Sequence, residues 1–167
     1  MKIFILPGLT TVLIALFVDQ VTKFFVMDNA SSFATGIQIL PIFDLVYVQN
    51  DGVSFGMFGG MPWWGLSALA LLICAVLGVL LFRSDNRIEA VALGAIIGGA
   101  LGNVVDRFRF QAVTDFLSFH IAGLYWPAFN LADVFVVCGV GVLLLYPVWD
   151  ARRQAQMSMG VPSRTIA

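Results

Sequence analysis

The polar residues of this chain are gathered in a few places, and between them run four apolar segments, at about residues 3–27, 63–82, 88–106 and 129–149. The second, Trp63 to Phe82, holds twenty uncharged residues, enough at about 1.5 Å per residue to cross about 30 Å of hydrocarbon. The first is read as a span rather than a cleaved leader: its apolar run resumes after Lys23 with Phe24-Phe25-Val26-Met27, and Ala30-Ser31-Ser32 is a poor cleavage site. The third carries Gly94, Gly98 and Gly102, a stripe of small residues that predicts close approach of another helix backbone. The pattern predicts an all-α membrane fold, one polytopic domain of four transmembrane helices over residues 1–167.

Two outer segments break the helical pattern. Residues 28–62 contain no Lys or Arg, and Ile37 to Val48 is rich in β-branched and aromatic residues, which predicts short strands interrupted by Pro41. Asn50-Asp51-Gly52 is a turn signal, and Gly56, Gly59 and Gly60 follow it. Residues 107–128 form the second outer loop. The tail from 150 to 167 is polar, with Arg152, Arg153 and Arg164, and order is expected to fade beyond its first turn.

Composition and charge then place the chain. With 60% apolar residues and 11% charged, an ordinary soluble domain is excluded, since charge there is about a quarter of the residues. No basic patch with interleaved aromatics appears, which excludes nucleic acid as a partner. Cys74 and Cys138 lie in apolar runs and read as small membrane hydrophobes rather than a disulfide or metal pair. Four spans put both termini on one side, with Lys2, Arg83, Arg87, Arg152, Arg153 and Arg164; the other side has Arg107 and Arg109, with Lys23 near the edge. The positive-inside rule makes the arginine-rich side cytoplasmic.

By that parity the polar intrusions fall at one outer level: Asp19 and Lys23 late in the first span, Asn103, Asp106 and Arg107 at the end of the third, Asn130 and Asp133 at the start of the fourth. An acid at a span's start is costly and marks function or a buried partner. Asp19 and Lys23 are spaced i, i+4 as an ion pair; a structural pair with Lys23 snorkelling and a substrate-facing pair both remain open. Asp106 and Arg107 are expected to form a structural network, because Arg neutralises a carboxylate. Asp115, in Val113-Thr114-Asp115-Phe116, reads alone as a solvated loop acid. Neither Asp115 nor Asp133 has a basic residue within four positions. Two such carboxylates brought together cannot both ionise, and a pair sharing one proton can activate water at a carbonyl and protonate a leaving amine. A Ser/His or Cys/His centre would have to use His120, the single histidine, which reads as a loop or interface residue; a zinc site lacks thiolates at this face. A proton-coupled transporter or transporter subunit is the alternative, opposed by the uncharged inner halves of the second and fourth spans.

Five blocks in order resemble the bacterial lipoprotein signal peptidases (signal peptidase II), a family of membrane aspartic peptidases: Asp19-Gln-Val-Thr-Lys23, Asn50-Asp-Gly-Val-Ser-Phe55, Gly102-Asn-Val-Val-Asp-Arg107, Val113-Thr-Asp-Phe116 and Pro127-Ala-Phe-Asn-Leu-Ala-Asp133. The resemblance spans roughly residues 12–140. It implies that Asp115 and Asp133 are the catalytic aspartates, and that Asp19, Lys23, Asn50, Gly52, Asn103, Asp106, Arg107 and Asn130 surround the dyad or contact substrate. It further implies a β-cradle over 28–62, a short outer helix or lid within 107–128, and no metal or cofactor. The implied chain is a monomer in the bacterial inner membrane, among membrane lipids. Its implied substrate is a prolipoprotein cut just before a diacylglyceryl-modified cysteine. Asp51 departs from the small or hydroxyl residue that this pattern leads one to expect after Asn50, and adds an acid near the cleft.

Overall fold

The computed structural model describes residues 4–52 and 61–159. Gly56, Gly59 and Gly60 lie outside the described residues. In chain order the elements are α1 (Ile5–Asp28), α2 (Ala30–Phe33), β1 (Ile37–Leu40), β2 (Phe43–Asn50), α3 (Trp63–Arg83), α4 (Arg87–Phe110), β3 (Val113–Ile121), β4 (Leu124–Tyr125) and α5 (Leu131–Met159).

Helices α1, α3, α4 and α5 are each long and apolar enough to cross a membrane. Their outward faces expose residues such as Leu13, Phe17, Leu72, Val76, Val137 and Leu144, the arrangement expected where lipid rather than water is the solvent. Helix α4 is the most enclosed of the four and touches the other three. Its glycines explain why. A Cβ on Gly98 would stand 2.6 Å from the Val12 carbonyl oxygen, and one on Gly94 would collide with the Gly8 carbonyl of α1. A Cβ on Gly102 would instead meet the Asp19 carboxylate. The small-residue stripe therefore seats α1 backbone-to-backbone on α4 and leaves room for a buried acid near the C-terminal end of α4.

Between α3 and α4 the chain turns in three residues. Asn86 caps α4, its Oδ1 accepting from the backbone N–H of Ile88 at 2.8 Å, and its Nδ2 donates to the Tyr146 hydroxyl of α5 at 3.2 Å. At the other end α4 stops at Gln111, whose left-handed backbone (φ 58°) lets its N–H reach the Arg107 carbonyl at 2.9 Å.

From that stop the chain enters β3. The four strands form one antiparallel sheet in the order β1-β2-β3-β4. Residues 107–128 thus hold a strand and a hairpin where a short helix or lid was expected. Val113 to Ile121 is rich in β-branched and aromatic residues, and it finds a partner in β2, with Asn50 opposite Val113 and Val48 opposite Asp115. Between the Leu45–Leu117 and Val48–Asp115 pairs β2 carries one extra residue, a bulge of the kind that re-aims neighbouring side chains. Ala122 (φ 50°) and Gly123 (φ 82°) make the two-residue turn to β4. Val26, Phe33 and Phe116 form the apolar cluster that fixes the sheet to the end of α1.

The fourth helix also corrects an expectation. It runs through Pro147 to Met159 instead of fading after 150, because Ala151-Arg152-Arg153-Gln154 are good helix formers and Gln154 Nε2 donates to Asp150 Oδ2 at 2.8 Å. Cys74 and Cys138 are both free, the first buried in the bundle and the second on the lipid-facing surface.

Candidate active site

The C-terminal ends of α1 and α4, the start of α5 and the first residues of β3 converge on a polar cluster inside an otherwise apolar molecule. Asp19, Lys23, Asp106, Thr114, Asp115 and Asn130 are all 0–2% exposed. Burial on that scale is tolerable only where every group is paired, and the pairing is complete.

Lys23 uses all three of its donors. Its Nζ lies 2.9 Å from Asp19 Oδ2, 3.2 Å from Asp106 Oδ2 and 2.8 Å from Asn103 Oδ1. The remaining lone pairs of the two acids are also taken. Asp19 Oδ1 accepts from the backbone N–H of Ala132 at 2.9 Å, Asp106 Oδ2 from that of Thr114 at 3.0 Å, and Asp106 Oδ1 from Gln20 Nε2 at 3.1 Å. Lys23 does not snorkel; with Asp19 it sits in the interior and links α1 to α4, α5 and β3. Asp106 does not pair with Arg107. Consecutive helix positions face different ways, so Arg107 turns outward and donates from a guanidinium nitrogen to the Gly52 carbonyl at 3.3 Å.

Three asparagines stand between this cluster and the two remaining acids. Asn130 and Asp133 form a reciprocal cap on α5. Asn130 Oδ1 accepts from the Asp133 N–H at 3.2 Å and Asp133 Oδ2 accepts from the Asn130 N–H at 3.1 Å, an arrangement that stabilises a helix start by about 1 kcal/mol. The cap fixes the Asn130 amide, whose Nδ2 donates to Asp115 Oδ1 at 2.7 Å and to Asn103 Oδ1 at 3.1 Å. Asn103 in turn donates from Nδ2 to Asp133 Oδ1 at 2.9 Å. On the other side of Asp115, Asn50 Nδ2 donates to Oδ2 at 2.9 Å. Asn50 is itself held by the Gly52 N–H on its Oδ1 at 3.0 Å, so the Asn50-Asp51-Gly52 turn aims an amide at the carboxylate.

Asp115 and Asp133 are therefore brought together through Asn130. Asp115 is buried, whereas Asp133 is half-buried and opens on an apolar cleft with Trp126, Pro127 and Val137. Burial pushes the Asp115 carboxyl up from 3.8 to about 6; the charge of Asp133 adds to the rise, while the Asn50 and Asn130 amides and the Lys23 charge oppose it. The premise that no cation lies near the two acids does not hold in space. Lys23 acts on Asp115, and Arg107 lies within Coulombic reach of Asp133, Asp115 and Asp106. Sequence separation hid both, since α1 and the end of α4 deliver them.

Asp51 is exposed and contributes nothing to the interior. His120 lies in β3, not in a loop, with Nε2 3.2 Å from Asp44 Oδ2 and its ring stacked on Tyr125 at 4.8 Å. That contact is short but poorly aligned, leaving His120 Nε2 without a hydrogen bond among the described residues. Gln20 and Thr114 were missed as members of the cluster. Gln20 was legible on the same ground as Asp19, as a polar residue inside an apolar span; Thr114 carried no signal beyond standing next to Asp115.

Comparison with known proteins identifies the family. The model of the signal peptidase (SPase) II family matches residues 11–149. Lipoprotein signal peptidase of Beijerinckia indica subsp. indica is 41% identical over 145 residues, covering 84% of this chain and 86% of the relative. That of Anaplasma marginale (strain Florida) is 42% identical over 135 residues, covering 80% and 79%. One solved bacterial membrane enzyme superposes with a TM-score of 0.74 at 26% identity, covering 87% of this chain and 94% of that one. A second shares the fold, with a TM-score of 0.77 at 24% identity over 99% and 98%. This four-helix membrane chain belongs to the signal peptidase II family of peptidases.

Proposed function

We propose that this chain removes signal peptides from prolipoproteins, cutting before a diacylglyceryl-modified cysteine, with Asp115 and Asp133 as the catalytic pair. The observation that carries the reading is the Asn130 bridge, which ties a buried carboxyl to a second one that opens on an apolar cleft. Asp115, whose burial retains a proton up to about pH 6, is the proton-bearing partner. Asp133, facing the cleft, is the base that takes a proton from water as its oxygen bonds to the scissile carbonyl carbon. Asp115 gives its proton to the carbonyl oxygen. Collapse of the tetrahedral intermediate breaks the C–N bond, the proton gained by Asp133 goes to the leaving amine, and the proton on the hydroxyl returns to the pair, so one shared proton is restored. Lys23 and Arg107 limit the net negative charge of four acids, and Asn50, Asn103 and Asn130 hold the two carboxyls in place.

The same reading covers topology and partners. The helix ends that carry Arg83 and Arg87, and the part of α5 that carries Arg152 and Arg153, lie cytoplasmic and the sheet lies outward, in the bacterial inner membrane. A lipid-bearing substrate then reaches the pair by lateral diffusion, and one copy of the chain suffices. The test is cleavage of a lipidated prolipoprotein by wild type and by Asp115→Asn, each with and without a metal chelator. Chelator-resistant cleavage by wild type and none by the variant is expected. Cleavage by Asp115→Asn, or loss of wild-type activity with chelator, contradicts the reading.

A further inference from the structure

The cleft beside Asp133 continues along α5. At Cys138 it meets a groove of about 640 Å³ that runs over Gly141 and Leu145 to Trp149, with Ile88 of α4 on its flank. At Ile88, Val142 and Tyr146 that groove adjoins a third cavity, about 480 Å³, walled by Asn86, Glu89, Pro147 and Asp150. Positions 134, 137, 138, 141, 145 and 149 recur at helical spacing, so cleft and groove share one face of α5. That face is open: Val137 is 69% and Leu145 70% exposed.

Two glycines of α5 differ in what they serve. A Cβ on Gly139 would stand 2.6 Å from Ile96 Cγ1 and 2.7 Å from the Ala92 carbonyl oxygen, so this glycine lets α5 approach α4. A Cβ on Gly141, in the floor of the groove, meets nothing within 4 Å among the described residues. A helical glycine costs about 1 kcal/mol against alanine, and no contact described within the chain offsets it here. On a lipid-facing surface a small residue lets another helix come close, which a flexible lipid tail does not require.

The far end of the path is polar and rich in acceptors. Glu89 accepts from Ser84 Oγ at 2.8 Å and Asp150 from Gln154 Nε2 at 2.8 Å. Neither acid forms an ion pair among the described residues, and Arg153 lies instead over the Trp149 ring at 5.5 Å. Pro147 has no N–H to offer the Leu143 carbonyl, which a regular helix would pair, and both residues line the cavity. Two carboxylates and a carbonyl suit an ammonium group. From Asp133 to Asp150 is 17 residues, about 25 Å of helix. A signal peptide has a basic stretch, then an apolar one of about 7–15 residues, then its cleavage region. With the cut at Asp133, a helix antiparallel to α5 brings its basic end to this chamber.

Resting on the function proposed above, we propose that the substrate's signal peptide packs as a helix over Gly141, antiparallel to α5, with a basic residue of its N-terminal stretch held by Glu89 and Asp150. The enzyme thereby reads the distance from that charge to the bond it cuts, and selects its substrate at both faces of the membrane.

The test uses the full chain in lipid nanodiscs and three diacylglyceryl prolipopeptides. One carries two lysines about 17 residues before the cut, one carries two glutamines there, and one has its lysines displaced by about six inserted apolar residues. Wild type is expected to cut the first at least fivefold better in kcat/KM than the other two. Glu89→Gln combined with Asp150→Asn keeps both hydrogen-bond acceptors and is expected to bring all three within twofold. Gly141→Leu is expected to unfold as wild type does yet cut the first peptide at least fivefold less well. Wild-type indifference to the three peptides, a preference that survives the double variant, or wild-type cleavage by Gly141→Leu overturns the proposal. An equal loss on all three peptides in the double variant assigns the chamber to a lipid headgroup, and a preference lost at one chain per nanodisc assigns the groove to a second copy; either result also overturns it. Failure of wild type to cut any of the peptides overturns the peptidase reading instead.

Discussion

Asn130 Nδ2 lies 2.7 Å from Asp115 Oδ1 while the backbone N–H of the same residue lies 3.1 Å from Asp133 Oδ2. One asparagine thus spaces the two acids, and the helix cap it forms with Asp133 makes the spacing a property of the α5 start rather than of a loop. Removing the acid function at either position leaves most of this geometry in place. Asp133→Asn retains a carbonyl oxygen for the cap, and Asp115→Asn retains one for an amide donor. Both variants are expected to insert and to unfold within about 1.5 kcal/mol of wild type, while cleavage falls at least about 100-fold. Parallel thermal unfolding and cleavage assays check this; substantial cleavage by either variant contradicts the roles proposed.

Lys23 behaves in the opposite way. Lys23→Met leaves Asp19 and Asp106 buried without their cation, which costs about 3–5 kcal/mol, so loss of folded protein in the membrane is expected before any question of catalysis arises. Adding Asp106→Asn to Lys23→Met removes one of the two orphaned charges and is expected to recover part of the loss. Equal stability of Lys23→Met and wild type, measured by denaturant unfolding in detergent, contradicts the interior role assigned to the pair.

The helix seam gives a contrast between two glycines. At Gly98 a Cβ would stand 2.6 Å from the Val12 carbonyl and 2.8 Å from the Ala15 methyl; at Gly78 nothing among the described residues lies within 4 Å. Gly98→Leu is expected to cost at least about 1–3 kcal/mol by forcing α1 off α4. Gly78→Ala is expected to be neutral or to gain up to about 1 kcal/mol from helix propensity. The same unfolding assay separates them.

The four spans were legible because a run such as Trp63 to Phe82 has one low-energy solution in lipid, a helix with every backbone group paired internally. The β-rich segment before α3 was legible from its branched and aromatic residues. What lay beyond reach was non-local. The strand at Val113 pairs with β2, 63 residues away at Asn50, and a resemblance-based helix was expected in its place. Asp106 found its cation in α1 rather than in adjacent Arg107, because chain neighbours on a helix point apart. That polar residues stand inside apolar spans was readable; which of them touch was not. Gly52 is the exception that shows why. Its part in the turn could be read from Asn50-Asp51-Gly52, yet its carbonyl's contact with Arg107 depends on the end of α4.

Stability should carry the signature of the buried acid. The Asp115 carboxyl binds its proton up to about pH 6 when folded but only to 3.8 at its ordinary value. Between these pH values the folded state holds more protons than the unfolded one, so unfolding free energy falls as pH rises. The contribution is fully present below the ordinary value and lost through about pH 6, an effect of about 3 kcal/mol. In Asp115→Asn this slope is expected to be absent. An unchanged slope in the variant contradicts the assignment.

The most direct measurement is an infrared titration of the protonated carboxyl band, comparing wild type with Asp115→Asn and Asp133→Asn. One proton leaving near pH 6 is predicted for wild type, with that component missing in Asp115→Asn. In Asp133→Asn its midpoint is predicted to move down, because a neighbouring negative charge has been removed. A band near pH 6 that survives Asp115→Asn, or a midpoint indifferent to Asp133→Asn, would mean that the two side chains do not hold a proton between them.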